Sequence, residues 1–252
     1  MKISLILPTY KKEREVLEQL ERLYGYLTRK NSNFELIFVI DGYIDSTKEI
    51  LEKYIKENRL KKVKVVGYKE NKGKGYAIRY GMQRATGDVI GFIDADTDIA
   101  IRTLGYAIKA IKEDSVSAVI PSKFHKNSNV EISLKRQFLS YMLTQVNRIF
   151  LRLPKQITDV GCGLKLFQKD LIKRVLPVLS VDRFAIDSDI LNEICKLNIK
   201  IEVIPFFLNK NRSDSTSMNI KDELEMLMDI FRLSFRNNYF LIRKSISLFF
   251  SN

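Results

Sequence analysis

The chain has 252 residues, with 43 Lys plus Arg against 30 Asp plus Glu, one His, two Cys and no Trp. With 45% hydrophobic residues, 11 Gly and 5 Pro, its composition is that of one folded domain with a substantial core, which excludes disordered, fibrous and low-complexity classes. A single His and two Cys exclude the usual all-protein zinc sites, and Cys162 with Cys195 makes no disulfide framework, so a reducing, cytosolic setting is expected. The net charge of +13 is spread, with 24 basic against 17 acidic residues in 1–130 and 19 against 13 beyond. Such a surplus points to an anionic partner: nucleic acid, the anionic face of a membrane, or a phosphorylated substrate.

In chain order, Ile3 to Leu7 reads as a buried strand, too short for a signal-peptide core or a membrane span. Glu13 to Arg29, with Val16, Leu20, Leu23 and Leu27 at helical spacing, reads as a helix packed on it. Phe34 to Ile40 is a second strand, Ser46 to Asn58 a helix entered through Asp45, and Val63 to Tyr68 a third strand. Gly73 to Ala85 is helical, and Val89 to Ile93 is a fourth apolar run that stops at Asp94. A long helix from about Ser133 carries Phe138, Met142, Val146, Ile149 and Leu153, as an insertion or lid. After it come a Gly and Cys loop at Thr158 to Leu164, a strand at Lys165 to Phe167, a helix at Asp187 to Leu197, a strand at Ile199 to Ile204, a polar loop at Asn209 to Asn219, and a last amphipathic helix.

Strands alternating with helices predict an α/β fold, a mostly parallel sheet with helices on both faces, whose ligands sit at the rim beyond the strand ends. The polar loops after the first four strands, at Pro8 to Tyr10, Asp41 and Gly42, Glu70 to Gly75 and Asp94 to Asp98, should therefore converge. Asp94, Asp96 and Asp98 alternate, so in an extended backbone all three would point to one side, where they would suit a hard cation holding a diphosphate. A solvated acidic turn is the alternative. Asn71-Lys72-Gly73-Lys74-Gly75 opens a helix, and two Gly, two Lys and a helix N-terminus suit an anion, although neither a G-x-x-x-x-G-K-[ST] nor a G-x-G-x-x-G spacing is present.

Leu7-Pro8-Thr9-Tyr10, Asp41-Gly42 with Asp45, Asn71 to Gly75, Gly81 followed by Ala85-Thr86-Gly87-Asp88, and Asp94-Ala95-Asp96 stand in the order and spacing of glycosyltransferase family 2, which the chain resembles. Asp159 to Phe167, Arg183 to Asp189, and Arg212 with Ser215-Thr216-Ser217 are similar to later motifs of the dolichyl- and polyprenyl-phosphate mannose and glucose synthases. The resemblance spans roughly residues 1–220. It implies a GT-A fold over 1–220, with a nucleotide-sugar part at 1–130 and an acceptor part at 131–220, followed by a C-terminal amphipathic segment at 221–252. It also implies inverting transfer of mannose or glucose from GDP-mannose or UDP-glucose to a polyprenyl phosphate, with Mg²⁺ or Mn²⁺.

By the same resemblance, Pro8, Tyr10, Asp41, Lys72, Lys74, Asp94 and Ala95 hold the nucleotide-sugar, and Asp94, Asp96 and Asp98 hold the metal, Asp96 being catalytic. Asp159 orients or activates the acceptor. Lys123, Arg136, Arg183 and Arg212 are cationic candidates for its phosphate, with Ser215 and Ser217 as hydroxyl donors. The chain departs from the family at Lys11 and Lys12, where Asn and Glu are usual, at Ile40, where a carboxylate is usual, at Asp98, often Gln, and at Gly163, where an aromatic is usual among the glucosyl relatives.

The helices at Ser133 to Leu153 and from Lys221 onward mix apolar residues with Arg and Lys, which suits either an anionic headgroup layer or packing on the domain. Peripheral attachment to the cytoplasmic face of a membrane, without a transmembrane helix, is the expectation. Two other readings fit part of the pattern: a family 2 enzyme acting on a glycan hydroxyl, with Asp159, Asp187 or Asp189 as base, and a nucleic-acid-binding protein, which would leave the aspartate series without a purpose.

Overall fold

The computed structural model describes residues 1–96, 98–197, 199–209 and 219–249, with side chains described as far as Asn238. A seven-stranded sheet is built from β1 (Lys2–Thr9), β2 (Asn33–Asp41), β3 (Val63–Tyr68), β4 (Val89–Ile93), β5 (Ala118–Ser122), β6 (Leu164–Gln168) and β7 (Ile201–Pro205). Its order is β3-β2-β1-β4-β6-β5-β7. β1 runs parallel to both β2 and β4, β2 to β3 and β5 to β7, whereas β6 runs antiparallel to β4 and β5. The expected parallel sheet is therefore interrupted by one reversed strand.

The helices are α1 (Val16–Arg29), α2 (Thr47–Glu57), α3 (Lys74–Met82), α4 (Ile101–Ala110), α5 (Leu134–Leu151), α6 (Lys169–Val175), α7 (Ile186–Cys195) and α8 (Ile220–Phe249). Alternation along β1 feeds two cores. Ile3, Leu5 and Leu7 pack with Val16, Leu20, Leu23 and Leu27 of α1 on one face, and Ile6 packs with Ala77 and Ile78 of α3 and with Ile186 and Ile190 of α7 on the other. Ile230 and Leu233 of α8 are buried in the second core, so the first half of the C-terminal helix packs on the domain. Phe231 meets Phe150 of α5, ring centroids 4.5 Å apart.

Among the described residues no helix is long and apolar enough to cross a membrane. Both α5 and α8 nevertheless expose large apolar side chains: Leu134, Phe138, Tyr141, Met142 and Ile149 on one, and Ile220, Leu224, Met228, Phe231 and Phe235 on the other.

Candidate active site

Parallel β1, β2, β3 and β4 bring their C-terminal ends to one rim, as the strand and helix alternation predicts. Pro8 lies within β1 opposite Val39, and Tyr10 stands exposed just beyond it with the Lys11 ammonium 5.4 Å from its ring. Asp41 ends β2 and is buried. Its carboxylate accepts from the Asn71 side chain (2.8 Å) and from the backbone N–H groups of Lys72 (2.7 Å) and Gly73 (3.0 Å).

This corrects the anion-cradle reading of Asn71 to Gly75, because the first N–H groups of the loop are satisfied by Asp41 from the same chain. The space the glycines leave is filled too. Gly73 has φ +102°, and a Cβ there would lie 2.5 Å from the Asp182 carbonyl oxygen, while Tyr76 N–H donates to that oxygen at 2.9 Å. Asp41 thus shapes the donor loop from beneath. Lys72 is exposed, its ammonium 4.6 Å from the Tyr76 ring and 5.6 Å from that of Tyr68.

After β4 the chain turns instead of staying extended, because the Asp96 carboxylate accepts from Asp98 N–H at 3.2 Å. The charge of Asp96 bears on Asp94 and that of Asp98 on Asp96, without the three forming one ligand cluster. Among the described residues no group of three His, Cys, Asp or Glu is close enough to hold a metal, which corrects the three-carboxylate site. Asp94 is held by its neighbours: its N–H donates to Gly163 O (2.8 Å), its carbonyl accepts from Gln19 Nε2 (3.0 Å), and its Oδ1 lies 2.6 Å from the Lys74 ammonium. Ala95 beside it is buried.

Burial pushes both the Asp94 and Asp96 carboxyls above their usual range, opposed at Asp94 by Lys74 and reinforced at Asp96 by Asp98. Burial alone would lower the Lys74 ammonium, but Asp94, Asp187 and Asp96 hold it above its ordinary value.

The chemistry of this donor set suits a cation. The Lys74 ammonium already occupies a cation's position against Asp94. In addition, a Cβ on Gly163 would lie 1.9 Å from Asp94 Oδ2, so the carboxylate takes this position only because residue 163 has no side chain. Two carboxylates make a partial hard-ion set that a diphosphate would complete.

A second polar group lies at the other end of the 159–163 loop. Asp159 is fully buried, and its Oδ2 accepts from the Lys123 N–H (2.9 Å) and ammonium (2.7 Å), while its Oδ1 has no hydrogen-bond partner. Burial would lower the Lys123 ammonium, Asp159 outweighs it, and the charge of Arg136 on α5 bears on the same ammonium. Cys162 is pushed up to about 12 by burial and then by Asp159, so it is a thiol and not a nucleophile.

The structure thus brings Lys123, Arg136 and Asp159 together. Arg183 instead lies over Gly73 and pairs with Glu225 of α8 (3.4 Å). Arg212, Ser215 and Ser217 lie outside the described residues, as does most of the polar loop from Asn209 to Asn219. A cavity of about 650 Å³ between residues 180–183 and α8 is lined by Arg183, Met228, Arg232, Leu233 and Arg236. Its arginines pair with Glu225, Asp229 and Asp189.

Sequence reasoning missed Gln19 and Lys165. Gln19 carries no signal beyond a polar residue on the apolar stripe of α1, whereas Lys165 sits conspicuously in the apolar run Leu164 to Phe167.

Comparison with known proteins bears on the family and the fold. The family model described as glycosyl transferase family 2 matches residues 4–176. A dolichyl-phosphate beta-glucosyltransferase of Dictyostelium discoideum is 27% identical over 245 residues, covering 93% of this chain and 74% of the relative. Among solved structures, a mannosyltransferase from Pyrobaculum calidifontis in complex with GDP-Man and Mn²⁺ superposes with a TM-score of 0.65 at 20% identity, over 93% of this chain and 64% of its own. Glucosyl-3-phosphoglycerate synthase from Mycobacterium tuberculosis, in complex with Mn²⁺, UDP-glucose and phosphoglyceric acid, gives 0.68 at 15% identity, over 93% and 79%. These likenesses establish the fold expected from the sequence.

Proposed function

Given that the chain belongs to glycosyl transferase family 2, we propose that it moves glucose, with inversion, from UDP-glucose to a dolichyl or other polyprenyl phosphate at a membrane surface. Glucose is preferred to mannose because similar curated proteins of Dictyostelium discoideum, Saccharomyces cerevisiae and Homo sapiens are dolichyl-phosphate beta-glucosyltransferases. The observation that carries the reading is the 159–163 loop, which seats Asp94 against Gly163 at one end and holds the Lys123 and Asp159 pair at the other. Donor carboxylates and acceptor cations are thereby joined by five residues of one chain segment.

In this reading residues 1–130 bind the nucleotide-sugar and 131–220 the acceptor, with Tyr10 and Lys72 exposed to the nucleotide. Asp94 and Asp96 would hold Mg²⁺ or Mn²⁺, which when bound supplies Lewis-acid neutralisation of the charge on the departing diphosphate. Lys74 adds a positive charge at the same place. Lys123 and Arg136 receive the lipid phosphate, and Asp159 fixes Lys123 from beneath. A phosphate oxygen attacks the anomeric carbon as the carbon–oxygen bond to the diphosphate breaks, and UDP leaves with that electron pair. The acceptor is already anionic, so no strong general base is required.

The exposed apolar side chains of α5, interleaved with Lys135 and Arg136, would lie in the headgroup layer and set the acceptor cations at membrane depth. Radiolabelled UDP-glucose and GDP-mannose, each offered with a polyprenyl phosphate in detergent under Mg²⁺, Mn²⁺ or chelator, test the proposal. Label in the lipid phase from UDP-glucose, lost with chelator, is expected. Label from GDP-mannose alone would reassign the donor, and label on a glycan hydroxyl alone would reassign the acceptor.

A further inference from the structure

Lys165 has no solvent exposure. It stands in β6 opposite Phe92 of β4, with its ammonium 5.5 Å from that ring. The ammonium donates to the carbonyls of Cys162 (2.8 Å) and Val160 (3.0 Å) and forms a buried ion pair with Asp187 in the first turn of α7. Its three donors are therefore all used. Burying an ammonium is costly, and an apolar side chain of the same length would serve the core at least as well, so packing does not account for this lysine.

Its grip on the loop does. Asp159 holds Lys123, residues 160 and 162 are held by Lys165, and Gly163 O receives the N–H of Asp94. The ammonium thus clamps the peptide that spans the two halves of the site, and Asp187 ties that clamp to α7. We propose that Lys165 is a positioning residue, a tether that fixes the Asp94 side of the site relative to the Lys123 and Asp159 pair, with Asp187 as its counter-charge. This rests on the transfer reaction proposed above and adds to it the element that sets donor and acceptor in register.

The test is K165M/D187N, which removes the tether without leaving one buried charge uncompensated. It is read by calorimetric affinity for UDP-glucose, by kcat and KM for transfer to polyprenyl phosphate, and by hydrogen exchange of the amides at 160–163. Expected are kcat lower by about 100-fold, a UDP-glucose affinity that falls far less than kcat because Asp187 also bears on Lys74 and Asp94, and faster exchange at 160–163, since misplacement of reacting groups by an ångström costs that much in rate. Wild-type kcat together with wild-type exchange would overturn the proposal.

Should the double variant not fold, K165Q keeps amide donors for the carbonyls and is read in the same way. A fall in kcat with affinity held supports the tether, whereas kcat and affinity falling together with the folded fraction make Lys165 a plain stabilising residue and overturn it. A wild-type chain that binds UDP-glucose yet transfers to no acceptor would sink the proposed function, and exchange at 160–163 would then decide the tether by itself.

Discussion

Asp94 and Asp96 lie two positions apart and are held in different ways, which separates binding from fold. Asp94 is built into the protein through Lys74, Gln19 and Gly163, whereas Asp96 accepts one hydrogen bond from Asp98 in its own turn. Asp96→Asn should therefore lower transfer by about 100-fold or more while leaving the thermal midpoint near wild type, since the lost interaction is with ligand charge. Full activity in this variant would remove Asp96 from the site.

Glu35 shows the opposite case, at the far end of β2 from the rim. Burial raises its carboxyl, but Lys64 at 2.6 Å, with hydrogen bonds from Ser4 and Thr86, outweighs this and brings its pKa to about 2. A carboxyl lowered from the ordinary 4.5 contributes stability that is full above about pH 4.5 and is lost as pH falls through about 2. Unfolding free energy measured by urea titration should drop by roughly 2 to 3 kcal/mol over that window, and Glu35→Gln should flatten the drop.

The same contacts explain part of the Ala85 to Asp88 motif: Thr86 serves Glu35, and Asp88 accepts from Lys2 N–H at 2.7 Å. That motif was legible as a landmark. Its structural duty was not, because it depends on residues more than fifty positions away.

At the scale of elements, Arg236 gives the C-terminal helix its ion pairs to α7. Arg236 of α8 pairs with Asp189 (2.8 Å) and Glu193 (2.6 Å) of α7 and donates to Ser180 Oγ and Val178 O, beside the segment that covers Gly73. Arg236→Ala leaves Asp189 buried without its cation and should cost about 3 kcal/mol, visible as a lower thermal midpoint. If the midpoint is unmoved, α8 is not latched there.

The outer face of α5 should act on the acceptor alone. Replacing Leu134, Phe138 and Met142 together by Gln should weaken sedimentation with liposomes and transfer to a long-chain polyprenyl phosphate, and spare transfer to a short soluble one. Equal loss with both acceptors would assign that face to folding.

Strands β1 to β4 and helices α1 to α3 were readable because buried runs and 3.6-residue stripes mark them directly. β5 is only five residues long and contains Pro121, and β6 runs into α6 with no Gly or Pro between them, so neither β5 nor α6 has a local signal. The reversal of β6 was equally hidden, since its pairing with β4 is non-local. It matters for function, because an antiparallel β6 sets Lys165 opposite Phe92 and brings Gly163 against Asp94.

For the whole molecule, the excess of +13 now has a setting. Lys74, Lys123, Lys165 and Arg236 are each paired with a carboxylate, which cancels charge of both signs, so the excess of +13 is carried by the remaining side chains. Attachment should therefore combine charge with the apolar faces of α5 and α8, weakening with salt without vanishing. The ordered motif set showed the family and the fold, while the turn at Asp96 and the occupation of the donor loop by Asp41 required coordinates.

The chemistry of the acceptor decides what this site does. The most direct measurement offers labelled UDP-glucose and Mn²⁺ to a polyprenyl phosphate and to the corresponding polyprenol without phosphate, with wild type beside Lys123→Met. Label should enter only the phosphate lipid, and the variant should raise the KM for that lipid while leaving UDP-glucose affinity unchanged. Equal labelling of the polyprenol, or an acceptor KM indifferent to Lys123, would contradict the assignment of the Lys123, Arg136 and Asp159 group to a lipid phosphate.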